Sequence, residues 1–149
     1  MLSFAVKFDQ ICLASKNSVD KAVQFSMNFG LDPKKIVVDL DHSAKGHYQG
    51  KPAEWNLKLA YCYVNGMEVE FLQYVSGDSF HHQLEEGEIS HLGTHVQSCK
   101  EFLELNPYMA NMKLLEGELW KGERGWKYIY FDTKVIYGYR LKIIERMKR

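Results

Sequence analysis

Apolar and polar residues alternate with a period of two along most of the chain, which predicts a protein built mainly from β-strands. The first predicted strand spans 7–15, where Ile11 and Leu13 occupy one face and Gln10 and Cys12 the other. Further strands are predicted at 34–40, 54–64, 67–75, 89–96, 113–120, 126–132 and 139–145. The Asn-Gly pair at 65–66 is typical of a hairpin turn between two of these strands.

Two segments have helical spacing instead. Residues 17–30 place apolar side chains at helical intervals and end at Gly30, a common helix terminator. Residues 98–105 begin with Ser98 and Glu101 at the spacing of a capping box. The polar stretch 41–52 is predicted as a loop or hairpin turn, and 121–125 as another hairpin turn.

Each half of the chain therefore has the order strand, helix and three strands, which indicates an internal repeat of two βαβββ modules. The predicted fold is a single α+β domain over 1–149, with module 1 at about 5–76 and module 2 at about 88–149. The polar residues at about 77–87 are predicted to be a solvated linker.

Matching sequence patterns relate particular residues of the two halves. "GMEVEFLQ" (66–73) and "GYRLKIIE" (138–145) place Glu70 and Lys142 at the same distance after a glycine. "DQICLA" and "SHLGTH" align Gln10 with His91 in the same way. By strand alternation, all four side chains lie opposite their apolar neighbours and face away from the helices.

With this doubled order, the chain resembles the vicinal oxygen chelate superfamily, the group of glyoxalases, bleomycin-resistance proteins and extradiol dioxygenases. The resemblance rests on "FDQICLAS", "ISHLGTHV" and "GYRLKII" as the strands that open and close the halves. It implies curved mixed sheets around a shared cavity, with the helices outside. It also implies that Gln10, Glu70, His91 and Lys142 occupy the positions of metal ligands.

Lys142 departs from that pattern, because an ammonium group has no lone pair to offer a metal. The expectation is a cavity without a cofactor, in which Lys142 faces Glu70 and neutralises it. The alternative is a divalent metal (Zn, Ni, Fe or Mn) held by Gln10, Glu70 and His91.

Bulk composition restricts the partners. The formal net charge is zero, which disfavours binding to nucleic acid or to an anionic membrane. The three cysteines have no CxxC spacing, and the start of the chain lacks the pattern of a signal peptide, so the prediction is a cytoplasmic protein with reduced thiols.

Three functions remain open from the sequence. The first is binding of a small aromatic or apolar molecule, as in bleomycin-resistance proteins, with Cys12, Trp126, Tyr128, Tyr130 and Lys142 as candidate contacts. The aromatic residues suit filling of the core equally well. The second is a metal-dependent lyase, isomerase or epimerase. The third is a metal-free enzyme that transfers protons with Lys142 or Glu70. An extradiol dioxygenase is disfavoured, because only one of the four positions is a histidine. A homodimer is expected from the resemblance.

Overall fold

The computed structural model describes residues 7–149, which contain eight strands and four short helices. The strands are β1 (Gln10–Ala14), β2 (Val37–Tyr48), β3 (Lys51–Val64), β4 (Met67–Gly77), β5 (Ile89–Val96), β6 (Lys113–Lys121), β7 (Arg124–Phe131) and β8 (Arg140–Lys148). The helices are α1 (Ser18–Asn28), α2 (Cys99–Leu105), α3 (Pro107–Ala110) and α4 (Lys134–Tyr137). Two 3₁₀ turns lie at Pro33–Lys35 and Phe80–Gln83. The predicted start of module 1, at about residue 5, lies outside the described residues, and the first predicted strand begins at Gln10 rather than at residue 7.

The eight strands close into a barrel in the order β1-β4-β3-β2-β6-β7-β8-β5. β1 is parallel to β4 and β5 is parallel to β8, so each module has the same internal topology. The modules meet where β1 pairs with β5 and where β2 pairs with β6, both antiparallel. This arrangement confirms the predicted α+β fold of two βαβββ modules around a shared interior.

Strand register confirms the internal repeat residue by residue. The ladders pair Gln10 with Glu68, Cys12 with Glu70, His91 with Arg140 and Gly93 with Lys142. Gln10 therefore corresponds to His91, and Glu70 corresponds to Lys142, as the sequence patterns predict.

The barrel wall separates two kinds of core. Inside the barrel, Trp55, Leu57, Tyr128 and Tyr130 belong to one apolar cluster. On the outer side, Ile129 packs in a separate cluster with residues of α2. A further outer cluster beneath α1 contains Val69 and Phe71. The alternation of β7 therefore points its tyrosines inward and Ile129 towards a helix, as predicted.

Of the two alternatives predicted for 41–52, the loop is wrong, because β2 continues to Tyr48, and the hairpin turn is confirmed but is confined to the sharp turn into β3 at 49–50. The inward residues of this stretch are His42, Ala44, Gly46 and Tyr48, alternating with exposed Ser43, Lys45 and His47. A period of two is present, but the inward set contains too few large apolar residues to reveal it. The strand predicted at 34–40 likewise begins later, at Val37, after a 3₁₀ turn.

The segment predicted as a solvated linker is in fact partly buried. Phe80 and His81 are 1% and 2% exposed, and Phe80 packs into the interior cluster. Ser79 caps the short 3₁₀ turn by accepting a hydrogen bond from the backbone N–H of His81. The carboxylate of Glu86 accepts hydrogen bonds from Ser15 and from the backbone of Lys16, which fixes the connection to module 1.

Two glycines form the contact between β2 and β6. Gly46 pairs with Gly117 in the ladder, and a Cβ atom on Gly46 would lie 1.9 Å from the backbone oxygen of Glu116. A Cβ atom on Gly117 would lie 2.6 Å from Trp55 and 2.8 Å from Tyr128. Glycine is therefore required at both positions for the modules to close over these two aromatic side chains.

Candidate binding site inside the barrel

A cavity of about 650 Å³ lies within the barrel. Its polar inner wall is formed by buried side chains from three strands: Gln10 of β1, Glu68 and Glu70 of β4, and Lys142 of β8. Leucine, isoleucine and aromatic residues of β3, β4, β6, β7 and β8 line much of the remainder: Leu57, Leu59, Tyr61, Leu72, Leu119, Trp126, Tyr128, Tyr130 and Ile144. The cavity thus combines a mostly apolar wall with a few converging polar groups, the usual composition of a ligand pocket.

A chain of hydrogen bonds crosses the inner wall from β4 to β5. The amide nitrogen of Gln10 donates to a carboxylate oxygen of Glu68. The amide oxygen of Gln10 therefore faces His91, whose Nε2 lies 2.7 Å away. Because an oxygen can only accept, His91 carries its proton on Nε2, and its Nδ1 accepts from the hydroxyl of Ser90 at 3.0 Å. Glu68 thus sets the tautomer of His91 through Gln10.

His91 is fully buried and stays neutral, since burial lowers the pKa of its imidazole well below the usual value and the positive charge of Lys142 lowers it further. Its ring also meets that of Tyr130 edge to face, with centroids 5.0 Å apart. The side chain therefore works as a fixed, neutral part of the wall rather than as a cation.

Glu70 is 5% exposed and lines the cavity. Its Oε1 lies 3.9 Å from Nε2 of His91. Burial raises the pKa of Glu70 to about 7, against an opposing effect of Lys142 and a reinforcing effect of Glu68. Near neutral pH the carboxyl group therefore exchanges its proton readily, which is the property required of a general base or acid.

Lys142 is 8% exposed and lines the same cavity. Its Nζ lies 5.0 Å from the ring centroid of Tyr128 and 4.9 Å from that of Tyr130. Cation–π contact with both rings stabilises the ammonium group at this position.

The predicted close ion pair between Lys142 and Glu70 is not formed. No carboxylate oxygen of residues 7–149 lies within 4.0 Å of Nζ of Lys142. Instead, the carboxylate of Glu70 lies beside His91, and the ammonium of Lys142 rests on the rings of Tyr128 and Tyr130. The two charges act on each other across the cavity without touching.

The other candidate contacts divide into two groups. Trp126, Tyr128 and Tyr130 line the cavity. Cys12 is fully buried and is not among the cavity-lining residues. Burial raises the pKa of the Cys12 thiol well above its usual value, and the negative charge of Glu70 adds to this effect, so the group is a neutral thiol.

Two buried charged residues were missed at the sequence level. Glu68 accepts hydrogen bonds from Gln10 and from the hydroxyl of Tyr63. Arg140, its counterpart in the repeat, stacks on Phe80 with Cζ 4.2 Å from the ring centroid. Both lie two residues before a predicted site residue, so strand alternation places them on the same face as Glu70 and Lys142. The two-residue spacing was the signal in the sequence from which Glu68 and Arg140 could have been predicted as inward-facing residues.

Three potential metal donors come together at Glu70, on the cavity side, and at Cys12 and His91 behind it. One ligand atom from each of Cys12, Glu70 and His91 lies within 4.8 Å of the others. The metal-free arrangement opposes a divalent ion, which would have to displace protons from two of these donors. The Nε2 lone pair of His91 is occupied by a proton, the thiol of Cys12 is protonated, and the ammonium of Lys142 repels a cation in the same cavity.

The closed barrel of two βαβββ modules is the fold of vicinal oxygen chelate proteins. Among solved structures, a hypothetical protein, BH1468 from Bacillus halodurans C-125, is 18% identical with a TM-score of 0.60, and the match covers 98% of both chains. Methylmalonyl-CoA epimerase from Mycobacterium tuberculosis is 12% identical with a TM-score of 0.54, covering 97% of this chain and 92% of that one.

A methylmalonyl-CoA epimerase in complex with methylmalonyl-CoA and NH4+ is 12% identical with a TM-score of 0.53, and 94% of each chain is covered. Neither a protein-family profile nor a curated protein matches the sequence. At these identities the likeness establishes the fold alone. No helix within residues 7–149 combines the length and apolar character needed to cross a membrane.

The charge and protonation of the inner wall predict that the protein purified without a histidine tag contains no stoichiometric zinc, nickel, iron or manganese. Elemental analysis after dialysis measures this directly. Lys142→Glu removes the repelling cation and adds an oxygen donor, so this variant should take up more metal than the wild type. Stoichiometric metal in the wild type, lost on Glu70→Ala and His91→Ala, would show that the donors rearrange around an ion.

Glu70 should make folding stability depend on pH in a defined direction. Its folded pKa of about 7 exceeds the ordinary value of 4.5, so the folded protein retains a proton that the unfolded chain releases. This contribution to stability is complete below pH 4.5 and is lost as the pH rises to 7. The glutamine of Glu70→Gln stays neutral at every pH, so this variant does not lose that stability. Across the window, the free energy of unfolding of Glu70→Gln should therefore rise relative to that of the wild type by on the order of 3 kcal/mol.

Urea denaturation at several pH values measures this difference. Glu54→Gln, at an exposed carboxylate of β3, is the matched control and should follow the wild type. If the free energy of unfolding had the same pH dependence in the wild type and in Glu70→Gln, the carboxyl group of Glu70 would not be buried in the way described.

Proposed function

We propose that the barrel binds a small organic molecule in its cavity. The observation that carries this proposal is the cavity of about 650 Å³ with a buried ammonium group on an aromatic and apolar wall. Ligand pockets of proteins have volumes of roughly 300–1,000 Å³ and the same mixture of apolar walls and few polar groups. The aromatic side chains of β7 surround an open volume, which favours ligand binding over complete filling of the core.

In this proposal Trp126, Tyr128 and Tyr130 contact the body of the ligand, and Lys142 contacts a polar group on it. Cys12 stays a weaker candidate, because it lies behind the cavity wall. The ligand is bound without a metal, since the inner wall is closed by the hydrogen bonds of Gln10 and His91. A cytoplasmic location and a homodimer remain predictions from the sequence.

Metal-free proton transfer is the second candidate function, and the state of Glu70 favours it. Its carboxyl group faces the cavity with a pKa of about 7. In this reaction Glu70 removes a proton from a carbon next to a carbonyl group, Lys142 stabilises the negative charge of the resulting enolate, and Glu70 returns a proton to the carbon. An epimerase of the same fold has been solved with methylmalonyl-CoA, a substrate with such a carbon.

Ligand binding is tested by thermal denaturation against a panel of flat aromatic compounds. At least one compound should raise the melting temperature by several degrees, because binding to the folded state alone stabilises it. Trp126→Leu should reduce this shift. Trp120→Leu, on the same β-hairpin but outside the cavity, is the matched control. Failure of every compound to raise the melting temperature would contradict the proposal.

Proton transfer is tested by deuterium incorporation from D₂O into methylmalonyl-CoA in the presence of a chelator. The wild type should exchange the proton faster than buffer alone, and Glu70→Gln should be slower by roughly 10²–10⁴-fold, the usual contribution of a general base. Mass spectrometry of the recovered thioester gives the rate. Exchange that is equal in the wild type and Glu70→Gln would eliminate proton transfer by Glu70 and leave ligand binding intact.

A further inference from the structure

We propose that the ligand of the barrel cavity is a monocarboxylic acid with an apolar or aromatic body, whose carboxylate is bound by Lys142. This inference rests on the proposed ligand-binding function and adds the chemical class of the ligand.

Lys142 is a buried cation with an unused capacity for hydrogen bonding. The residue is 8% exposed, and it lies on the cavity wall. Within residues 7–149, Nζ has no carboxylate oxygen within 4.0 Å, and its neighbours are the faces of two tyrosine rings. A ring face stabilises the charge but accepts none of the three N–H groups in a normal hydrogen bond.

A buried charged group without a hydrogen-bonding partner is unfavourable, and proteins usually supply a partner. A carboxylate is the complementary group, because it accepts short, charge-assisted hydrogen bonds from an ammonium. The same wall holds another unused donor, since the buried hydroxyl group of Tyr128 has no partner among the described residues. A bound carboxylate can therefore satisfy groups that the protein itself leaves unpaired.

The acidic residues of the cavity limit the charge of the ligand. Glu68 and Glu70 both line it, on the β4 side. A phosphate dianion or a dicarboxylate would bring two negative charges to one ammonium and meet these carboxyl groups as well. A single carboxylate suits one unpaired cation.

The outer part of the cavity favours entry of an anion. Lys121, Arg124, Arg146 and Lys148 line it and are exposed. Lys121 is paired with Asp39, which leaves three basic residues to attract a negative charge. A cluster of one sign at a cleft raises the rate at which oppositely charged ligands arrive.

The remaining wall determines the body of the ligand. Leu57, Leu59, Leu72 and Ile144 lie on it beside the aromatic residues of β7. Burial of an apolar group against these side chains is favourable because it removes apolar surface from water, and the side chains offer no hydrogen bonds to a polar group. Arylacetic acids, with one carboxylate and one ring, represent this class.

The test compares acids with their neutral amides by isothermal titration calorimetry. The probes are phenylacetate and indole-3-acetate against phenylacetamide and indole-3-acetamide. In the wild type each acid should bind at least tenfold more tightly than its amide, a difference of about 1.4 kcal/mol. Lys142→Met should abolish this preference, and Lys142→Arg should retain it. Lys45→Met, at an exposed lysine of β2 outside the cavity, should behave as the wild type.

The outcomes separate the two proposals. Equal binding of acid and amide to the wild type overturns the carboxylate assignment and leaves ligand binding standing. Binding of the amides but not of the acids likewise overturns the carboxylate assignment and leaves ligand binding standing. If inorganic phosphate displaces phenylacetate at equal concentration, the site binds anions in general and the assignment is again overturned. If no acid and no amide binds, while thermal denaturation finds no other ligand, the proposed function itself fails. If Lys142→Met does not fold, the carboxylate assignment is decided by comparing acid with amide binding in the wild type and in Lys142→Arg.

Discussion

The hydrogen bond between Glu68 and Gln10 determines the chemistry of the inner wall. It orients the amide of Gln10, and the amide in turn places the proton of His91 on Nε2. These three residues lie on β4, β1 and β5, so the same bonds join the strands of module 1 to the first strand of module 2. This part of the wall is a closed network of neutral and acidic groups, which leaves Glu70 and Lys142 as the polar groups available to a ligand.

The separation of Glu70 from Lys142 is what makes both groups usable. A carboxylate in contact with an ammonium is held in its ionised form, and neither group is then free for other partners. Without that contact, burial prevails at Glu70 and raises its pKa to about 7. Lys142 meanwhile rests on two aromatic rings. The cavity therefore has an acidic side and a basic side, which is an arrangement suited to a polar, asymmetric ligand.

Sequence patterns predicted the repeat well, because it depends on local alternation that any strand displays. Gln10, Glu70, His91 and Lys142 correspond in pairs because the register of parallel strands preserves their spacing. The predicted ion pair failed because the repeat specifies which strand positions correspond, but not how far apart the ends of their side chains lie inside the barrel. The linker prediction failed at Phe80, where one apolar residue in a polar stretch was enough to bury the turn. Glu68 and Arg140 were recognisable from their spacing, but neither stands at a position that the resemblance singles out.

The glycine pair between β2 and β6 has a consequence for how such a pocket changes in evolution. Gly46 and Gly117 bring the two halves together at the distance of two bare backbones, beside Trp55 and Tyr128. A larger residue at position 46 would clash with the backbone of β6, and one at position 117 would clash with the rings of Trp55 and Tyr128. Two residues outside the cavity lining thus restrict the position of Tyr128, which does line it, so a methyl group at this contact would reshape the pocket without replacing any residue of its wall.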